Sequence, residues 1–176
     1  KGAKHMNYAA IKPWDIANGP GVRVSLFVSG CTHHCKDCFD PEAWDFDYGE
    51  PFDRAVMERI VTMMQPQYIR GITYLGGEPF DARNQAGLLE LTRMLRARMP
   101  EKSIWAFTGY VYDRNLPRVA GVTDALLAEL DVLVDGPFIA ERKNLSLRFR
   151  GSENQRLIDM PQTLKTGAVV LWDERQ

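Results

Sequence analysis

The strongest constraint on the fold is an alternation. Short runs rich in β-branched and large apolar residues, each closed by a glycine-bearing turn, are separated by segments with helical signals. Val22–Val28 (VRVSLFV) follows Gly19-Pro20-Gly21 and reads as a buried strand. Ile69–Leu75 is a second, ending in Gly76-Gly77-Glu78-Pro79. Ser103–Phe107 is a third, followed by Thr108-Gly109-Tyr110, and Val132–Val134 a fourth, ending at Asp135-Gly136-Pro137. Between them, Asp53 is placed to cap a helix reaching about Gln65, where Pro66 stops it. Asn84–Met99 carries Leu88, Leu91, Leu95 and Met99 at helical spacing, and Thr123–Leu130 predicts a third helix. Leu145–Phe149 and Ala168–Trp172 are weaker strand candidates.

This order predicts right-handed βαβ crossovers and a mainly parallel sheet. A closed eight-fold barrel takes about 250 residues, and the chain has 176. The expected architecture is therefore α/β, an open partial (β/α) barrel of about five or six units, forming one domain over residues 6–176. Lys1–His5 reads as a cloning remnant, with Met6 as the native start. Chemistry in parallel α/β folds gathers at the carboxyl ends of the strands. The loop after the first strand and the Gly-Gly-Glu-Pro after the second are expected to meet at one mouth.

That first loop holds all three cysteines of the chain, Cys31, Cys35 and Cys38, within eight residues. Secreted disulfide scaffolds use even numbers spread along the chain, so the cluster points to one metal site in a reducing compartment. Thiolates spaced C-x3-C-x2-C on a loop can wrap one compact inorganic centre. A 4Fe-4S cluster usually takes four cysteines, and three leave one iron open, as catalytic metal sites do. The alternative is a zinc site completed by His33 or His34; otherwise these histidines face solvent or pack on the protein. Lysine plus arginine (22) balances aspartate plus glutamate (23), so no strong field draws in nucleic acid or an anionic membrane. No apolar run approaches the roughly 20 residues of a membrane span, and no apolar leader opens the given sequence. A cytoplasmic enzyme is expected.

The C-x3-C-x2-C loop followed by Gly76 to Pro79 (GGEP) resembles the two hallmarks of the radical S-adenosylmethionine superfamily, in the same order. The resemblance implies a 4Fe-4S cluster on Cys31, Cys35 and Cys38. It also implies S-adenosylmethionine chelating the open iron through its amino and carboxylate groups. Gly76, Gly77 and Glu78 then present backbone groups to the methionine, glycines allowing close main-chain approach. The superfamily commonly has an aromatic residue just before the third cysteine, where adenine packs; here Asp37 stands there and Phe39 follows Cys38. The stretch Asp37, Cys38, Phe39 is expected to line the adenine, with no stacking role for Asp37; Phe39 reads equally as a core anchor.

Asn18-Gly19-Pro20-Gly21-Val22-Arg23 and Phe27-Val28-Ser29-Gly30-Cys31 resemble the entry of the glycyl-radical-enzyme activases. Within these, Trp105–Tyr110, Val132–Phe138 and Arg150–Gln155 (RGSENQ) are similar to segments of the family that activates the anaerobic ribonucleoside-triphosphate reductase. The resemblance implies an oxidoreductase that reductively cleaves S-adenosylmethionine to a 5′-deoxyadenosyl radical. That radical generates a glycyl radical on the reductase, the protein substrate. No protein acid, base or nucleophile is required, so no catalytic side chain is assigned; a low-potential donor such as flavodoxin supplies the electron. Asp135 either approaches the methionine or caps a turn. Arg118-Val119-Ala120-Gly121 has the letters of a glycyl-radical loop but is expected to be a turn before a helix. The alternatives are an activase of another glycyl radical enzyme (pyruvate formate-lyase type), a small-molecule radical enzyme such as a carboxydeazaguanine synthase, and a protein that only stores electrons or holds structure.

Overall fold

The structure is a computed structural model that describes residues 5–175. The expectation for Lys1–His5 falls, except for His5, outside the described residues. One seven-stranded sheet runs in the order β3-β1-β2-β4-β5-β6-β7. Its strands are β1 (Asn7–Asp15), β2 (Val22–Val28), β3 (Glu50–Pro51), β4 (Ile69–Gly76), β5 (Ser103–Phe107), β6 (Val132–Asp135) and β7 (Arg156–Asp159). The helices are α1 (Arg54–Met64), α2 (Ala82–Arg98), α3 (Thr123–Ala128) and α4 (Met160–Thr166). The pairings β2–β4, β4–β5 and β5–β6 are parallel; β1–β2, β1–β3 and β6–β7 are antiparallel.

The fold is mixed α/β and the sheet is open, not a closed barrel. Only its centre is built of βα crossovers, with α1, α2 and α3 joining four parallel strands, fewer than the five or six units expected. The other three strands are antiparallel additions. β1 escaped the sequence reading because its pairing with β2 shifts register between Tyr8 and Ala10 and again between Lys12 and Asp15. Such a shift changes the phase of the alternation, so that Tyr8 is buried and Ala10, two residues on, is exposed. β7 has only four residues. Leu145–Phe149 forms no strand, and Ala168–Trp172 contributes a single bridge, Ile158 to Leu171.

The helix signals hold where caps are strong. The Asp53 side chain accepts from Val56 N and starts α1. α2 begins two residues before the expected Asn84, because Asp81 supplies the cap, accepting from Arg83 N. All four helices contribute to one apolar core against one sheet face, as right-handed crossovers between parallel strands require. The register row Leu26–Tyr74–Ala106–Leu133–Ile158 crosses five strands and lies wholly in that core. Leu88, Leu91 and Leu95 of α2 seal it, each contributing roughly 1.5–3 kcal/mol by burial.

The adjacent row faces the other way. There Trp105 packs edge-on to Phe149 and Trp172, with ring centroids 5.4 and 5.0 Å apart. Among the described residues no α-helix packs on this face; the segment after β6 and the C-terminal residues cover part of it. Arg23, from the Gly-Pro-Gly-x-Arg motif, is fully buried on it. Its guanidinium donates to Thr73 Oγ1 (3.0 Å), Ser103 Oγ (2.7 Å) and the Ile72 carbonyl (2.8 Å), joining β2, β4 and β5. Burial pushes its pKa down to about 10. Arg118–Gly121 is a turn running straight into α3, with Val122 N and Thr123 N donating to Val119 O. No helix among the described residues is long and apolar enough to cross a membrane.

Candidate active site

Residues following each of the four parallel strands line one cavity of about 470 Å³, a size suited to a small ligand. The first wall is the cysteine loop after β2. Gly30 N donates to Ala43 O (2.7 Å) and Cys31 N to Trp44 O (3.2 Å), so the loop closes back on the short 3-10 turn Pro41–Trp44. Within it His34 and Asp37 take left-handed backbone conformations, φ 49° and 58°, a region Asn, Asp and His enter most readily. Cys31, Cys35, Cys38, Asp37 and Phe39 all line the cavity. Phe39 is 74% exposed, so it is not a core anchor.

The second wall is the end of β4. Gly76 has φ 108°, and a Cβ there would lie 2.7 Å from Val28 N; at Gly77 one would lie 2.6 Å from Gly30 O. Only glycines allow β4 to press this closely against the base of the cysteine loop. Gly77 N donates to Val28 O (2.8 Å) and Glu78 N to Gly30 O (2.7 Å). Two segments far apart in sequence are thereby joined edge to edge.

The Glu78 side chain has a different task. Its carboxylate is buried, and each oxygen accepts twice. Oε1 takes Gly109 N (2.6 Å) and His33 Nε2 (2.8 Å); Oε2 takes Phe80 N (2.8 Å) and Thr108 Oγ1 (2.9 Å). A carboxylate offers about four acceptor sites, so these partners saturate it. It holds strand ends together rather than pointing at a ligand.

The third wall, after β6, was not assigned from sequence. Gly136 and Phe138 line the cavity, as do Gly151 and Gln155 of the Arg-Gly-Ser-x-Asn-Gln segment. Gln155 Oε1 accepts from Gly151 N (2.9 Å) and Ser152 N (3.1 Å), while its Nε2 donates to Gly136 O (3.2 Å). Asn154 Nδ2 donates to Pro137 O (2.7 Å). That motif therefore clamps the turn after β6 into the wall. Asp135 stays out of the cavity: it accepts Arg156 Nε (2.9 Å) and Nη2 (2.6 Å) and Tyr112 N (2.8 Å). Asn84, expected as a helix start, lies buried inside α2 and donates to both Ser29 O (3.1 Å) and Glu78 O (2.9 Å). For Gly136 and Phe138 the signal was their place after the fourth predicted strand, whereas Gly151 and Gln155 reach that wall only through the pairing of β6 with β7.

Burial pushes the Cys31 thiol up to about 11, against the backbone N–H groups of His33 and His34, which favour its thiolate. Cys35 is also raised by burial, against the Phe138 N–H. Such thiols stay protonated until a cation's field displaces the proton, and N–H donors aimed at sulfur are what iron–sulfur ligands use. Among the described residues no group of three or more His, Cys, Asp or Glu side chains is set to hold a metal ion as it stands. A cluster bound at separate irons spaces its thiolates more widely than one ion does. Three thiols on one loop facing one cavity fit the cluster. Neither histidine is placed as a zinc ligand: His33 Nε2 is bonded to Glu78, and the His34 ring stacks on Trp44, centroids 4.4 Å apart at 19°.

Three thiols on a strand-end loop of a parallel α/β sheet define the class, and residues 17–158 match the family described as the 4Fe-4S single cluster domain. The chain is 40% identical over 152 residues to the anaerobic ribonucleoside-triphosphate reductase-activating protein of Escherichia coli (strain K12), covering 85% of this chain and 96% of that one. The protein of that name from Vibrio cholerae serotype O1 is 38% identical with the same coverage. That of Enterobacteria phage T4 is 37% identical over 86% of this chain and 93% of its own. The chain belongs to the family of anaerobic ribonucleoside-triphosphate reductase-activating proteins.

Proposed function

We propose that this chain, as a single domain over residues 6–176, is a radical S-adenosylmethionine activase that installs a glycyl radical on an anaerobic ribonucleoside-triphosphate reductase. The observation that carries the reading is the meeting of Cys31, Cys35 and Cys38 with Gly76 and Gly77 in one cavity, within a chain of this family. When bound, the 4Fe-4S cluster and S-adenosylmethionine supply a low-potential electron and a 5′-deoxyadenosyl radical; the cofactors carry the difficult chemistry and the protein aims it. Cys31, Cys35 and Cys38 hold three irons. The main chain of Gly76 and Gly77 meets the methionine, and Asp37, Cys38 and Phe39 border the adenine. Glu78 acts through its grip on the neighbouring strand ends.

Read as an open partial barrel, the sheet keeps an open mouth at its strand ends, where exposed Phe39 and the half-buried cysteines line the cavity, which suits a substrate that is a loop of another protein. That loop also helps to exclude water. A low-potential donor of flavodoxin type supplies electrons, and the reaction belongs in the cytoplasm. The test is anaerobic reconstitution with iron and sulfide, reduction, and chromatography for 5′-deoxyadenosine. Electron paramagnetic resonance then looks for a glycyl radical on added reductase. Wild type should yield both, and Cys31→Ala, Cys35→Ala and Cys38→Ala neither. A fully loaded wild type that leaves S-adenosylmethionine intact sinks the reading.

A further inference from the structure

The buried carboxylate of Glu78 reaches into the cysteine loop through one side chain. His33, between Cys31 and Cys35, sets Nε2 2.8 Å from Glu78 Oε1. An ionised carboxylate only accepts, so the imidazole N–H donates. The ring stands edge-on to Tyr110, centroids 4.4 Å apart at 65°. It also presses on Gly109, where a Cβ would fall 2.7 Å from its Cδ2. Thr108 and Gly109 donate to the same carboxylate that His33 does. One side chain after β2, one after β4 and three consecutive residues after β5 thus form a single interlocked set.

The consequence falls on the thiols. The loop from Cys31 to Cys38 has no helix or strand of its own, so its side-chain anchors decide where its sulfurs stand. His33 is such an anchor between the first two cysteines; neighbouring His34 turns away onto Trp44. We propose that His33 is the positioning residue of the cluster loop, its bond to Glu78 and its seat on Gly109 and Tyr110 fixing Cys31 and Cys35 for ligation. This rests on Cys31, Cys35 and Cys38 being the cluster ligands, as under the proposed function, and adds what holds them. It also gives Thr108-Gly109-Tyr110 a purpose: a hydroxyl and an N–H for the carboxylate, no Cβ to block the imidazole, and a ring to seat it.

The test uses the full chain, reconstituted anaerobically, as wild type, His33→Ala, His33→Gln and Gly109→Ala. The readouts are iron retained against a graded chelator series, and the g-values of the reduced cluster without S-adenosylmethionine. Losing an outer partner of a metal site typically weakens retention about 10- to 100-fold, and His33→Ala should lose iron by that factor and shift the g-values. His33→Gln, whose amide N–H reaches the same oxygen, should restore both. The cluster-free His33→Ala protein should melt near wild type, since Glu78 keeps three donors. Should His33→Ala fail to fold, Gly109→Ala decides, since it crowds the ring without removing it and should reproduce the iron loss. Retention and g-values matching wild type in either His33→Ala or Gly109→Ala overturn the proposal, as does His33→Gln behaving no better than His33→Ala. A wild type that takes up no cluster overturns the ligand assignment itself, an outcome distinct from a loaded wild type with indifferent variants.

Discussion

Glu78→Gln replaces one oxygen where three strand ends meet, and its cost follows from the hydrogen bonds it disturbs. The carboxylate is 1% exposed and accepts from His33, Phe80, Thr108 and Gly109. A glutamine of the same shape turns N–H groups toward two of these donors. With its nitrogen toward Thr108, the hydroxyl rotates and accepts, but Phe80 N–H is left without a partner. With its nitrogen toward His33, the ring takes the other tautomer and accepts, but Gly109 N–H is orphaned. Either way one buried backbone donor goes unsatisfied, at about 1–3 kcal/mol, and the surviving bonds lose charge assistance worth about 1 kcal/mol more.

The sum is about 2–4 kcal/mol, and at about 2–4 °C per kcal/mol for a domain of this size the melting temperature should fall by about 5–15 °C. Differential scanning calorimetry of the cluster-free protein measures it. Glu78→Ala leaves all four donors unanswered and adds a cavity, so it must cost more than Glu78→Gln. A glutamine variant melting within about 2 °C of wild type, or an alanine variant no worse than glutamine, would refute the saturated-carboxylate account.

Other perturbations test other parts of the fold. In the cluster-free protein the Cys31 thiol, raised to about 11, should alkylate with iodoacetamide at a rate still climbing above pH 9, read by peptide mass mapping; a plateau by pH 9 contradicts the burial argument. The same raised pKa means that the stability contributed by protonated Cys31 is complete below an ordinary thiol value of about 8.5 and is lost as pH rises toward 11. Asp135→Ala strands Arg156, which is partly exposed and can rehydrate, so the loss should be about 1–3 kcal/mol, seen as a lower urea midpoint; an unchanged midpoint rejects the anchor role. Trp105→Ala opens the helix-free face beneath Phe149 and Trp172 and should cost about 3–5 kcal/mol, with loss of near-ultraviolet circular dichroism. A loss under about 1 kcal/mol would mean that this second core does not hold the sheet.

What was legible in the sequence is what local physics writes there. β2, β4, β5 and β6 are buried on both faces over most of their length, so each shows as an apolar-rich run, interrupted by Arg23 and Ser25 in β2 and by Arg70 and Thr73 in β4, and Asp53 announced α1 because a cap is a short-range signal. β1 was illegible for an equally local reason: two register shifts and Pro13 interrupt its pattern. The antiparallel strands at both flanks also explain why a count of βα units overshot. Residues that could have furnished further parallel units instead went to edge strands and to the segment covering the second face.

The site divides along the same line. The cysteines and the glycines after β4 declare themselves because spacing and missing side chains are visible in a string of letters. The task of Glu78 is not, because its donors lie 45, 30 and 31 residues away at His33, Thr108 and Gly109, and only the parallel register of β2, β4 and β5 gathers them. The motif letters Thr-Gly-Tyr and Arg-Gly-Ser-x-Asn-Gln mark family likeness in sequence; in the fold the first braces the cysteine loop through Glu78 and His33, the second the wall opposite. Both reach the cysteine loop from other strand ends, one through the His33 imidazole and the other through the Phe138 N–H that favours the Cys35 thiolate. The cysteine loop is therefore held from two strand ends besides its own, and its geometry belongs to the sheet as much as to the eight residues that carry the cysteines.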